Sequence, residues 1–159
     1  MNPNAIAHRQ RGMALLVSLV FLLLLTLIGL SSMQSATLQE KMTSSVMLRN
    51  QSFQIAEAAL RVGESAVQVE AYSLPVCNST AQCAPPPESA TVTTAGRYSS
   101  SGVTWVAAAG GFYGVQNIGT TMAAVNVPSN TSATLYRITA VAVVGNNQRS
   151  VVESIYAKY

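Results

Sequence analysis

The chain has 159 residues and a formal net charge of +3, with 49% apolar and only 9% charged residues. That length allows an anchor and one modest domain, and the scarcity of charge is unusual for a soluble protein. Asp is absent and His8 is the single histidine, so a His-based triad or a His-containing zinc site downstream of position 8 is excluded.

The N-terminus carries the strongest pattern. Arg9 and Arg11 precede Gly12, and an apolar run opens at Met13 and extends to about Met33. No charge follows until Glu40. About 20 apolar residues span a hydrocarbon core as a helix rising ~1.5 Å per residue. The arginines before the span place the N-terminus in the cytoplasm and residues 34–159 outside it. Beyond residue 12 there are seven basic and six acidic residues, a balance of +1. No basic patch, Arg/Lys stripe or nucleic-acid motif is present. A phosphate-binding loop ending in Gly-Lys-Ser or Gly-Lys-Thr is also missing, which excludes a motor ATPase. A secretory signal and a plain membrane anchor are the simpler readings. Against the signal stand the length of the run, the lack of a small-residue cleavage site at its end, and a helical pattern that continues past it.

Residues 34–70 read as the amphipathic continuation of that helix. Leu38, Met42, Val46, Phe53, Ala56, Leu60, Gly63 and Val67 recur mostly at helical spacing. Phe53 and Leu60 are expected in the core. Glu57 and Arg61 stand in the favoured order for a helix-face ion pair. One continuous helix from about Met13 to Glu70 is predicted, with Gly29 and Ser31-Ser32 as the favoured places for any bend or local melting.

Residues 71–90 read as a linker, with Pro85-Pro86-Pro87 stiff and extended. Cys77 and Cys83 lie in it. Outside the cytoplasm their default is a disulfide; a metal site is the alternative, and it lacks further ligands. The bridge would contribute on the order of 2 kcal/mol. Asn78-Ser79-Thr80 and Asn130-Thr131-Ser132 match the glycosylation sequon.

From residue 91 the chain turns β-rich. Strands are predicted at Ala90–Thr94, Gly102–Ala108 with Trp105 as core anchor, and Phe112–Ile118. A loop is predicted at Gly119–Asn130. Thr134–Val144 is the clearest strand, with Tyr136, Ile138, Ala140, Ala142 and Val144 on one face. Gly145 to Gln148 turns the chain, and Arg149–Ala157 returns antiparallel. The sheet is too small to be robust alone and needs the end of the helix as its missing face. The fold class is α+β: a long N-terminal helix, transmembrane in its first half, packed on a small antiparallel sheet. The segments are 1–12, 13–33, 34–70, 71–90 and 91–159. Four of the six Glu residues, Glu40, Glu57, Glu64 and Glu70, lie along the helix as solvated or paired groups; nothing assembles a catalytic site or calls for a cofactor.

The junction Arg11-Gly12-Met13, followed by Ala-Leu-Leu-Val, resembles a type IV prepilin. With Glu40-Lys41-Met42, Arg49, the string Ser52-Phe53-Gln54-Ile55-Ala56-Glu57-Ala58-Ala59-Leu60-Arg61 and the final hairpin, the chain resembles PilX-like minor pilins, most closely over residues 9–64. The resemblance implies the pilin fold, cleavage between Gly12 and Met13 by a prepilin peptidase, and methylation of the new amine at Met13. It departs from most pilins in starting with Met13 rather than Phe. It also carries Val17 where they hold a glutamate that pairs with a neighbour's amine. A first or capping subunit has no such amine to neutralise, so Val17 points to a priming or tip position. The implied partners are other minor pilins, the major pilin, the peptidase/methyltransferase, the inner-membrane assembly platform and the lipid bilayer. The implied function is pilus assembly, twitching motility and attachment, as a single-pass inner-membrane protein with a periplasmic domain that later joins the pilus. The alternatives are a minor pseudopilin of type II secretion, whose tip member has a much larger extra domain, and a tip adhesin that binds through the Cys77–Cys83 and Gly119–Asn130 loops.

Overall fold

The computed structural model describes residues 7–145 and 147–159, with side chains from Gly12 onward. The first six residues of the expected leader lie outside the described residues. Two compact units meet between Ser45 and Val46. One helix, α1 (Ala7–Gln68), contributes to both.

In the first unit α1 is exposed at every residue from Gly12 to Ser45. It runs unbroken through Gly29, Ser31 and Ser32. Two of the hydroxyls inside the apolar run find an acceptor in their own helix. Ser18 donates to the Leu15 carbonyl at 2.9 Å and Thr26 to the Leu23 carbonyl at 2.8 Å. Such back-bonding satisfies a hydroxyl where no water is available.

In the second unit the last part of α1 lies on a five-stranded antiparallel sheet. The strands are β1 (Gly96–Arg97), β2 (Thr104–Ala108), β3 (Gly111–Thr121), β4 (Ala133–Val144) and β5 (Gln148–Lys158). They are hydrogen-bonded in chain order, each to the next. The β4–β5 hairpin pairs Thr134 with Lys158 at one end and Val144 with Gln148 at the other. β3 bulges at Ile118, between the Asn117–Tyr136 and Gly119–Leu135 pairs. Gly119 has φ +113° there, and its N–H donates to Asn117 Oδ1 at 3.0 Å. A left-handed glycine beside a bulge is the expected chemistry.

The buried face of α1 is made of small residues: Ser52, Ala56, Ala59, Gly63 and, at the end, Val67. Steps of three and four place them on one stripe. A Cβ on Gly63 would come 2.7 Å from Ile138 Cγ2 and 2.9 Å from Tyr113 Cδ2. The helix therefore approaches the sheet too closely for any larger residue at that point. Phe53, expected in the core, is half exposed. It stands beside Ser52, and Ser52 takes the inward position with a hydrogen bond to Ser150 of 2.6 Å between hydroxyls.

The sheet is covered on both faces. On the helix face, Val67, Val115, Tyr136 and Ile138 form one cluster, flanked by Leu60, Tyr72 and Tyr113. On the far face, Val92, Val103, Trp105 and Val141 form a second, flanked by Tyr98, Phe112 and Val143. This second core explains why Thr139 and Val141 are buried alongside Ile138 and Ala140. It is built partly from residues expected in a strand at Ala90–Thr94. That strand is not formed. Pro87–Ala90 makes a 3-10 turn instead, and the Val92 N–H donates to the Glu88 carbonyl at 2.8 Å. Val92 is delivered to the core from a turn, where no strand alternation is needed. The prolines divide between two roles: Pro86 is extended and Pro87 opens the 3-10 turn. The expected loop at Gly119–Asn130 starts later, because β3 continues to Thr121.

Candidate functional site

Two places carry the residues singled out by sequence, and the structure adds a third. Gly12, Met13 and Val17 all lie on α1 in the first unit. A Cβ on Gly12 would meet nothing within 4 Å, so packing does not require glycine there. Met13 is 66% exposed and Val17 is 48% exposed. Both belong to a helix surface of Leu, Val, Ile and Phe that is exposed among the described residues. Such a surface is stable only in an apolar medium or against other helices.

The second place is the Cys77–Cys83 turn in the second unit. The two cysteines are joined in a disulfide, with Cα atoms 5.3 Å apart. Their sulfurs are thus committed to each other, which removes the metal alternative for this pair. The bridge closes around a short helical turn, α2 (Thr80–Cys83), capped by Ser79, whose hydroxyl accepts the Gln82 N–H at 3.2 Å. The carbonyls at its C-terminal end would be orphaned. Gln116 Nε2 donates to the Gln82 carbonyl at 2.6 Å and to the Ala84 carbonyl at 3.0 Å. Arg137 donates to the intervening Cys83 carbonyl and, through Nε, to Glu153 at 2.9 Å. Val76 bridges Asn117 in parallel. The turn is therefore fastened to β3 and β4 by side chains as well as by its disulfide.

The third place was not legible as a site. Glu88 is 5% exposed. It accepts hydrogen bonds from the Ser101 hydroxyl, from Ser100 at 2.8 Å and from Trp105 Nε1 at 3.5 Å. Burial pushes its pKa up, but the Ser101, backbone, Ser100 and Trp105 hydrogen bonds outweigh it and hold the carboxyl below its usual value. Burial beside Tyr113 and Tyr136 raises Tyr72 to about 12. The other carboxylates described with partners are tied to structure: Glu57 to Arg61 at 2.8 Å, Glu153 to Arg137, and Glu64 to Ser154 at 2.7 Å. Among the described residues no three His, Cys, Asp or Glu side chains gather where a metal could bind. The only sequence signal for the Glu88 cluster was an acidic residue just after the prolines, with a serine run twelve positions later.

Residues 11–61 match the family model described as PilX N-terminal. The match supports a PilX-like type IV pilin. It begins one residue before Gly12 and ends at Arg61, taking in the whole exposed apolar run and the first part of the stripe that meets the sheet, Ser52, Ala56 and Ala59. No curated protein and no solved structure matches the chain. The architecture is that of a pilin: a long apolar N-terminal helix with its end packed on an antiparallel sheet. PilX-like pilins are structural proteins, and the family points to assembly with other pilus components. The long apolar helix fits an inner-membrane-anchored pilin.

Proposed function

We propose that this protein is a minor type IV pilin that helps to prime or cap pilus assembly at the inner membrane, and so supports twitching motility and attachment. The observation that supports the reading is the match over residues 11–61, a range that includes Gly12, Met13 and the exposed apolar helix. On this reading the chemistry is done to the chain. A peptidase cuts after Gly12, a methyltransferase modifies the Met13 amine, and the chain itself catalyses nothing. The N-terminus is cytoplasmic and the sheet domain periplasmic until the helix leaves the bilayer. It can leave without penalty when a bundle of other apolar helices receives it. The partners are other minor pilins, the major pilin and the assembly platform. Val17 supports a first or capping position, because a buried carboxylate is tolerable only where a neighbour's amine pairs with it.

The test is the N-terminal residue and mass of the protein purified from its own membrane. A start at Met13 carrying a methyl group is expected. An intact Met1, or a cut beyond Leu30, would replace the pilin reading with a plain anchor or a secreted domain.

The disulfide turn gives a second reading, an adhesive tip. Its anchoring by Gln116 and Arg137 presents residues 78–82 as a fixed, exposed surface. A surface-binding defect confined to substitutions in that turn, with piliation unchanged, would support it.

A further inference from the structure

β2 pairs with β3 only as far as Trp105 and Gly114. Further along β3, Val76 takes the place beside Asn117. Between the two a cleft of about 200 Å³ opens in the second unit, next to the disulfide turn. Its walls are residues 74–78, Gln82 of α2 and the turn before β2, and its floor is Val115, Gln116 and Asn117 of β3. Side chains fix these walls. Asn117 Nδ2 donates to the Leu74 carbonyl at 2.8 Å, and the Asn117 carbonyl accepts the Cys77 N–H at 3.0 Å. On the opposite wall Ser101 donates to Glu88 and accepts the Val103 N–H at 3.1 Å. Gln116 Nε2 faces the Gln82 and Ala84 carbonyls, which settles which end of the amide is oxygen. Gln116 is 6% exposed, and its buried Oε1 has no hydrogen-bond partner among the described residues. Folded proteins seldom leave a buried polar atom in that state. The rim adds donors. Gln82 Oε1 accepts the Asn78 N–H at 3.0 Å, so Nε2 is the free end of that amide. Arg97 makes no ion pair among the described residues, and its Nη2 lies over Gly102, 4.0 Å from where a Cβ would stand. No acidic residue lines the cleft, and Pro75 and Val76 add exposed apolar wall.

We infer that this cleft binds one hexuronic acid residue of a surface polysaccharide. The inference deepens the adhesive reading, on which it rests for its setting, by naming the class of surface met at the disulfide turn. Charge selects an anion, because the lining holds one guanidinium, several amides and no carboxylate. A carboxylate on Arg97 makes the charge-assisted, two-bond contact that a planar guanidinium favours. The orphaned acceptor selects a hydroxyl beside that charge. A bare anion has nothing to donate to Gln116 Oε1. A sugar hydroxyl donates there and accepts from Gln82 Nε2 at the same time. A peptide carboxyl terminus also brings an anion, but its N–H cannot both donate and accept. Size selects a single ring, since the cleft is smaller than the roughly 300–1,000 Å³ of cavities that enclose drug-sized ligands. The C–H groups of the ring cover Pro75 and Val76. The disulfide, Asn117 and Gln116 hold the walls in place before a ligand arrives, which lowers the ordering cost of binding.

The test titrates the full-length protein in detergent micelles with methyl β-D-glucuronide and follows binding by saturation-transfer NMR. Saturable binding is expected, about tenfold tighter than that of methyl β-D-glucoside, which differs only in lacking the carboxylate. Arg97→Gln should bring the glucuronide down to the glucoside's affinity and leave the glucoside unchanged. Gln82→Ala should weaken both sugars alike. Arg97 is exposed and unpaired among the described residues, so its variant keeps the fold, and an unchanged thermal midpoint verifies this. Acetate and N-acetyl-glycyl-glycine are the comparison anions. Either one binding as tightly as the glucuronide would overturn the inference, the first in favour of bare charge and the second in favour of a peptide terminus. A glucuronide that does not bind, or that binds the Arg97→Gln protein equally well, would overturn it too. Attachment of cells carrying substitutions in residues 78–82 separates the two levels. Lost attachment without sugar binding sinks this inference alone, and normal attachment with sugar bound sinks the adhesive reading and leaves the site.

Discussion

Lys158 Nζ donates to the Val69 carbonyl at 2.6 Å, just past the last turn of α1. The same ammonium reaches the carbonyls of Glu70 at 3.2 Å and Tyr72 at 2.9 Å. No basic residue lies in the last turn of α1 itself. The cation that a helix C-terminus favours is supplied instead by the end of β5, eighty-nine residues later in the chain. One side chain thus closes the helix and ties the final strand to it. Lys158→Met should lower the unfolding free energy of the solubilised protein by about 1–2 kcal/mol. Urea titration measures this, and an unchanged midpoint would show the three carbonyls to be satisfied by water.

The Glu88 cluster makes stability depend on acid. Its folded pKa is lowered relative to the unfolded chain, so the stabilisation is fully present above the unfolded value, about 4.3. It is lost as pH falls through the folded value. Glu88→Gln should remove this pH dependence and cost about 1–3 kcal/mol at neutral pH, since hydrogen bonds to a charged acceptor are the strong ones. The check is the urea midpoint from pH 7 down to pH 3 for both proteins. Parallel curves would contradict the assignment.

The contact between Gly63 and Ile138 predicts a cost that helix propensity does not. On propensity alone Gly63→Ala should stabilise α1 by ~1 kcal/mol. The new methyl would instead meet Ile138 Cγ2 at 2.7 Å and Tyr113, and overpacking costs about 1–3 kcal/mol. Net destabilisation is expected, relieved in part by Ile138→Ala, which removes the Cγ2 methyl that the new Cβ meets. The four proteins form a double-mutant cycle; additivity within error would show that the methyl does not press on Ile138.

The same stripe shows what sequence reveals and what it hides. The apolar run from Met13 and the alternation of Tyr136, Ile138 and Ala140 were legible, because each is set by local periodicity. The buried helix face was legible in part: the periodic set held Ala56, Gly63 and Val67, but it missed Ser52 and Ala59. Periodicity favours large apolar residues, and so it selected Phe53. The structure uses Ser52 there instead, with Ala59 beside Ala56, since close approach to a sheet rewards small side chains. The far-face core was hidden for another reason. Val92 reaches it through a 3-10 turn, and Arg149 and Glu88 find their partners across long sequence separations. Of the candidate site, the cysteine pair was legible from its spacing and the compartment expected for it. Its clamps, Gln116 and Arg137, read as ordinary strand residues until β3 and β4 are paired.

Those clamps limit what the disulfide contributes. Replacing Cys77 and Cys83 together by Ser should cost about 2 kcal/mol. The 82–84 carbonyls remain bonded to Gln116 and Arg137, so the turn should stay in place. Adding Gln116→Ala should then release it. Protease sensitivity at residues 78–82 reads the difference: resistant in the double serine protein, cut in the triple variant. Cutting in both would show that the disulfide alone holds the turn.

The Gly12–Met13 junction lies inside α1, and the proposed cleavage there would give glycine a role that packing does not. A peptidase needs extended backbone at the bond it cuts, so the first turns of the helix must open. Glycine weakens a helix by ~1 kcal/mol relative to alanine, and leaves the scissile carbonyl unobstructed. A Cβ at position 12 meets nothing within 4 Å, so Gly12→Ala and Gly12→Leu leave the fold of the sheet domain unchanged. Processing should nevertheless slow with Ala, through the stiffer helix, and stop with Leu, through the added bulk. The N-terminal residue of each variant from the membrane, read against the thermal midpoint of the same sample, separates the two effects. Normal cleavage of Gly12→Leu would show that glycine at this position serves neither purpose.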